Sequence, residues 1–134
     1  MNRRFTILIH DHPFLHWDLL VENGDTLLTW RLLKEPDEKG PIPCEPLPDH
    51  RRMYLDYEGQ VSNDRGVVRQ WTTGGCTLNQ QQTDLYRLEL NSPRIKGTLW
   101  LREEGNGEWF CYPPGAAFPG SGSGTDEAET GVGD

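Results

Sequence analysis

Three of the four histidines, His10, His12 and His16, fall between positions 10 and 16, and Asp18 follows His16 by two residues. In an extended chain that spacing puts His16, Asp18 and Leu20 on one face, and Leu15, Trp17, Leu19 and Val21 on the other. The second set is a core face. A histidine and an aspartate side by side on a rigid strand can bind one divalent metal. His10 adds a third ligand if Asp11–Phe14 turns the chain back on itself. Two imidazoles and a carboxylate leave coordination positions open for substrate oxygens or a polarised water. The same spacing also suits a hydrogen-bonded surface pair, so the pattern alone leaves both readings open. His12, before Pro13, reads as a loop residue. The fourth histidine, His50, is followed by Arg51 and Arg52 and, four residues on, by Tyr54. A histidine beside two arginines suits an anion, although a loop histidine next to two solvated charges has the same sequence.

The elements that must position these residues read as strands almost throughout. Phe5–Ile9 and Leu15–Val21 are followed by an Asn23–Gly24 turn and Leu27–Leu33, a strong hairpin signal. Further strands are expected over 53–57, 66–72, 85–90, 97–102 and 109–112, and only 77–84 could hold a short helical turn. Residues 35–49, with five prolines, read as a long irregular connection, and a long loop in a small domain is often functional. Many short strands separated by turns predict an all-β fold, a small closed or nearly closed barrel of about eight strands with long irregular loops. The expected core includes Leu15, Trp17, Leu19, Leu28, Leu32, Trp71, Leu88, Leu90, Leu99 and Trp100. Residues 1–112 form the expected domain. Residues 113–134, rich in Gly, Pro, Ser and acid, bury too little to offset ordering entropy and are expected to be a disordered tail.

The chain has 134 residues, enough for one domain. Its net charge of −8 argues against a broad, nonspecific nucleic-acid surface, which needs Lys and Arg. Asp126, Glu127, Glu129 and Asp134 lie in the tail segment, however, so a local basic groove on the body stays open. Cys44, Cys76 and Cys111 lack Cys-x-x-Cys spacing, which indicates neither a disulfide framework nor a thiolate zinc site. The longest apolar runs are far too short to span a membrane as a helix. The N-terminal apolar stretch is also too short for a secretion signal and runs into His-Asp-His, so a cytoplasmic location is expected.

Taken together, the blocks His10-Asp11-x4-His16-Trp17-Asp18, Glu22-Asn23-Gly24, Thr29-Trp30-x3-Lys34-x-Pro36 and Asp49-His50-x3-Tyr54-x-Asp56-Tyr57-Glu58-Gly59 resemble the 3'-phosphoesterase domain of bacterial ligase D. The resemblance is dense over residues 5–59 and looser from there to about 112, where Gly97–Arg102 is similar to the family's closing strand. It implies a β-barrel enzyme that heals DNA 3' ends. Such enzymes use a divalent metal, typically manganese, to remove a 3'-phosphate and, in some members, a 3'-terminal ribonucleoside, leaving the hydroxyl that a ligase or polymerase requires in end joining. By position, His10, His16 and Asp18 match metal ligands. Lys34 and His50 match phosphate contacts, and Tyr54 matches a tyrosine needed for activity. Primer-template 3' ends are the implied partner, with separate ligase or polymerase proteins. The chain is expected to be a stand-alone relative.

The chain departs from that family at two phosphate-contacting arginines, which are Leu20 and Ile42 here, and at an acid two residues before the loop histidine, which is Pro48. Arg31, Arg51, Arg52, Arg65 and Arg69 are candidates to replace the lost guanidinium forks. If Lys34 shares the face of His16, alternation turns Arg31 away and puts Trp30 beside the pocket. Arg51 or Arg52, next to His50, is then the expected phosphate partner. Against the enzyme stands a second reading, a noncatalytic module of the same fold that binds DNA ends or a protein partner.

Overall fold

The computed structural model describes residues 2–37 and 39–119, and those residues contain nine strands, one 3₁₀ turn and no α-helix. The strands are β1 (Arg3–His10), β2 (His16–Asn23), β3 (Thr26–Leu32), β4 (Ile42–Arg51), β5 (Gly59–Gln60), β6 (Val67–Gln82), β7 (Leu85–Asn91), β8 (Lys96–Glu103) and β9 (Trp109–Tyr112), with the 3₁₀ turn at Arg52–Leu55. They pair antiparallel in the order β1-β2-β3-β4-β9-β8-β7-β6, and β6 returns to β1. That pairing closes an eight-stranded barrel, and closure removes most of the exposed sheet edge. The short β5 lies outside the ring, paired with the start of β6.

Alternation in β1 to β3 builds two apolar layers, one on each face of the wall. Phe5, Ile7, Leu19, Val21, Trp30 and Leu32 point into the barrel, where they meet Trp71, Leu88, Leu90, Leu99 and Leu101. Leu8, Leu20 and Leu27 point outward. They are covered by Leu55, Val61 and Val68, with Tyr54 and Tyr57 against them. The excursion that follows β4 therefore folds back over the outer wall instead of into solvent. Thr6 Oγ1 donates to the Leu55 carbonyl (2.8 Å), and Arg4 grips Asp56 with both terminal nitrogens (3.1 and 2.7 Å). This outer layer, rather than the barrel lumen, is where the chemically interesting side chains gather.

Several expectations are corrected. The proline-rich connection is largely a strand: Ile42–Arg51 pairs with β3, and only Ile42–Cys44 also pairs with β9. Beyond Cys44 the strand has a partner on one side only, and such an edge tolerates Pro46 and Pro48, which lack a ladder donor. The strand expected over 53–57 is the 3₁₀ turn, and the residues expected to spare a helical turn extend β6 to Gln82. Leu15 lies in the loop before β2 and is exposed, and Leu28 and Trp100 are only partly buried. Trp30 is in the barrel core rather than beside the pocket. Of the segment expected as a tail, residues 113–119 are placed on the barrel. There Phe118 stacks on Trp100 (ring centroids 4.3 Å), and Arg102 Nη1 donates to the Pro119 carbonyl (3.3 Å). The remainder of that expected tail, 120–134, lies outside the described residues.

Candidate metal and phosphate site

His10 ends β1 and His16 begins β2, and the two are directly paired in the ladder. Asp18 stands two residues along on the same outward face. His10 Nδ1 lies 3.4 Å from Asp18 Oδ2, and His16 Nε2 lies 3.2 Å from Asp18 Oδ1. One ligand atom from each residue falls within 4.8 Å of the others. His16 and Asp18 are buried, and His10 is partly so.

The hydrogen bonds behind the cluster fix which nitrogens are free. A carbonyl can only accept, so His10 donates Nε2–H to the Arg65 carbonyl (2.7 Å) and His16 donates Nδ1–H to the Phe14 carbonyl (2.8 Å). In the neutral rings, His10 Nδ1 and His16 Nε2 therefore present lone pairs toward Asp18, the arrangement that ligating histidines adopt when backed by a carbonyl. Asp18 Oδ1 is buried and has no hydrogen-bond donor. Two lone pairs and a buried carboxylate facing one another suit a shared cation, either a proton or a metal. Burial alone would raise the Asp18 carboxyl, but the two imidazoles outweigh it and hold the group at about 2. The Asp18 carboxylate in turn raises His10, against desolvation. Nitrogen and oxygen donors of this kind suit manganese, zinc or another divalent first-row ion, so the residues fit a metal.

The loop that supplies the Arg65 carbonyl is packed tightly. Gly66 sits at φ +79°, and a Cβ there would lie 2.2 Å from Asp11 Oδ1 and 2.7 Å from His12 Cβ. Asp11 Oδ1 accepts from the Val67 amide (2.8 Å) and so clips the β1–β2 loop to β6 behind His10.

The cluster opens into a cleft of about 480 Å³ between the outer wall and the segment 47–68. His50 donates Nδ1–H to the Pro48 carbonyl (3.0 Å), which leaves Nε2 as the nitrogen able to meet a ligand. Its ring lies 6.0 Å from that of Tyr54, and both residues line the cleft with Arg51. Of the side chains expected to meet phosphate, two lie elsewhere. Lys34 is exposed on a bend past the end of β3, where strand alternation no longer applies, and it does not line the cleft. Arg52 forms an ion pair with Glu22 and donates to the Gly24 carbonyl (3.0 Å). Arg31, expected to face away, lines the cleft. The residue paired with Asp18 is Arg31, and residues directly opposite in a ladder share a face. The ladder register carried this information, and counting from Lys34 missed it. Arg65 also lines the cleft, with Nε and Nη2 held by Ser62. Leu20 and Ile42, the positions of the missing arginines, are fully buried in the outer and inner apolar layers respectively.

An eight-stranded antiparallel barrel with a His-His-Asp cluster on its outer wall, opening into a cleft that three arginines help to line, defines a β-barrel class with a metal-competent cleft. Residues 9–103 match the family model of the DNA ligase D 3'-phosphoesterase domain, and the chain belongs to that family. It is thus a member of a 3'-phosphoesterase family of DNA repair. No curated protein matches the chain.

Proposed function

We propose that the protein is a metal-dependent hydrolase that removes a terminal 3'-phosphate from DNA and leaves the 3'-hydroxyl needed for end joining. The observation that carries this reading is the His10–His16–Asp18 cluster, with both imidazoles oriented by backbone carbonyls and one buried carboxylate oxygen left without a donor. His10 Nδ1, His16 Nε2 and Asp18 would hold the divalent ion, by the resemblance manganese. When bound, that ion supplies Lewis-acid neutralisation of charge on phosphoryl oxygens.

The remaining work falls to the chain's own side chains. Hydrolysis breaks the bond between phosphorus and the sugar 3' oxygen and forms one to a water oxygen, so the leaving oxygen needs a proton while the water's own protons leave with the released phosphate. His50 in its imidazolium form can give that proton from Nε2, because its Nδ1–H is already committed to Pro48. Tyr54 packs on the outer apolar layer and faces the cleft, where its ring orients His50. Arg51 adds positive charge at the rim; its guanidinium lies 5.9 Å from the Tyr54 ring centre. DNA 3' ends are the proposed partner, and separate ligase or polymerase proteins would take the product.

Incubating a 3'-phosphate primer-template with the protein and Mn²⁺ tests the proposal. Phosphate release that disappears in EDTA and in the His16→Ala protein is expected. A folded protein that holds Mn²⁺ yet releases no phosphate would refute it. That outcome would favour binding without turnover, the reading suggested by the apolar burial of Leu20 and Ile42.

A further inference from the structure

A terminal phosphate is held best by a group that meets two of its oxygens at once. Three arginines line the cleft, Arg31, Arg51 and Arg65. Arg65 is engaged by Ser62 through Nε (2.8 Å) and Nη2 (3.2 Å). Arg51 is exposed at the end of β4. Arg31 rises from within β3, paired with Asp18 in the ladder.

Its side chain is held in a particular pose. The guanidinium carbon lies 5.4 Å from the centre of the Phe14 ring, and Nη1 reaches Glu45 Oε1 at 3.3 Å. Nε is buried and has no acceptor. With Nη1 turned to Glu45, the free edge is the one formed by Nε and Nη2, whose two parallel N–H groups match two oxygens of a phosphate. A buried N–H without an acceptor is costly, and an incoming phosphoryl oxygen would remove that cost.

Building on the phosphoesterase reading, we propose that Arg31 is the residue that clasps the terminal 3'-phosphate through its Nε–Nη2 edge and sets it beside the His10–His16–Asp18 cluster. Glu45 and Phe14 fix the guanidinium plane in advance, so little side-chain freedom is lost on binding.

The test uses the full chain loaded with Mn²⁺, as wild type, R31Q, R31K and E45Q. Each is titrated with a labelled primer-template ending in a nonhydrolysable 3'-methylenephosphonate and with its 3'-hydroxyl counterpart. The kcat and KM for 3'-phosphate release and Mn²⁺ affinity by electron paramagnetic resonance are measured in parallel. Wild type should prefer the phosphonate end. R31Q should lose that preference and about 10²-fold in kcat/KM while binding Mn²⁺ as wild type does. R31K should recover only part, since a point charge replaces a fork, and E45Q, which keeps an acceptor for Nη1 but weakens the hold on the guanidinium, should lose less than R31Q. An active wild type with an R31Q that keeps both preference and kcat/KM overturns the assignment. So does an R31Q that loses Mn²⁺ affinity, because that makes Arg31 a strut. A wild type that neither prefers the phosphonate end nor releases phosphate refutes the phosphoesterase reading itself.

Discussion

Replacing Gly66 with alanine should damage the site from behind without touching any ligand. Two costs follow from the backbone. At φ +79° an alanine is in the left-handed region, which costs roughly 1–2 kcal/mol. Its Cβ would also sit 2.2 Å from Asp11 Oδ1, so the carboxylate has to move and its 2.8 Å bond to the Val67 amide breaks. A hydrogen bond to a charged group contributes about 1.5–3 kcal/mol. The sum, about 2.5–5 kcal/mol, is a large part of a small domain's stability. The local effect is more telling. Arg65, whose carbonyl orients His10, is the adjacent residue, and losing such a backing contact typically lowers metal affinity about 10- to 100-fold. Gly105→Ala is the control, since Gly105 also has positive φ (+109°) but nothing lies within 4 Å of its Cβ position. Urea unfolding in EDTA and Mn²⁺ titration of the two variants separate strain from packing. If Gly66→Ala binds Mn²⁺ as wild type does and unfolds no earlier than Gly105→Ala, the coupling between the loop and the cluster is wrong.

Asp18→Asn, nearly isosteric, should abolish Mn²⁺ binding and phosphate release, and the large Mn²⁺-induced rise in wild-type melting temperature, worth about 2.7 kcal/mol at a hundred times Kd, should vanish with it. Leu55→Ala empties the centre of the outer apolar layer and should cost about 2–5 kcal/mol by chemical denaturation, with a fall in activity as the segment bearing Tyr54 loosens. Arg52→Ala should leave KM for a 3'-phosphate end within about twofold, because the side chain is engaged by Glu22 and not by the cleft; a KM rise matching that of an Arg51→Ala variant would contradict this placement. Burial pushes the Cys44 thiol up to about 12 and the Cys76 thiol up to about 11, and raises Cys111 well above the usual range. All three should therefore resist alkylation at pH 8 until the protein is unfolded, as mass spectrometry of the labelled chain would show.

The metal-competent cluster was legible in the sequence because it is nearly local. His16 and Asp18 share a face by strand alternation alone, and His10 needs only the short β1–β2 turn to reach them. The barrel was legible for a related reason: period-two patterning and turn residues recur along the chain, as at Gly24, whose positive φ suits the first position of the β2–β3 turn. Register was not legible past the ends of those patterns. Counting parity from Lys34 crossed the end of β3 and inverted Arg31 and Trp30, because alternation holds only while the chain stays extended. Nor did composition foretell that a proline-rich segment would form β4, since an edge supplies the tolerance and edges exist only once strands have paired. What the sequence alone determined is the donor set and the all-β character, both products of local covalent geometry. Only the tertiary structure decided that the site lies on the outer wall, that Arg52 turns to Glu22 while Arg31 turns to the cleft, and that Gly66 buttresses His10. Those outcomes depend on contacts between residues far apart in the chain, which form only when the barrel closes.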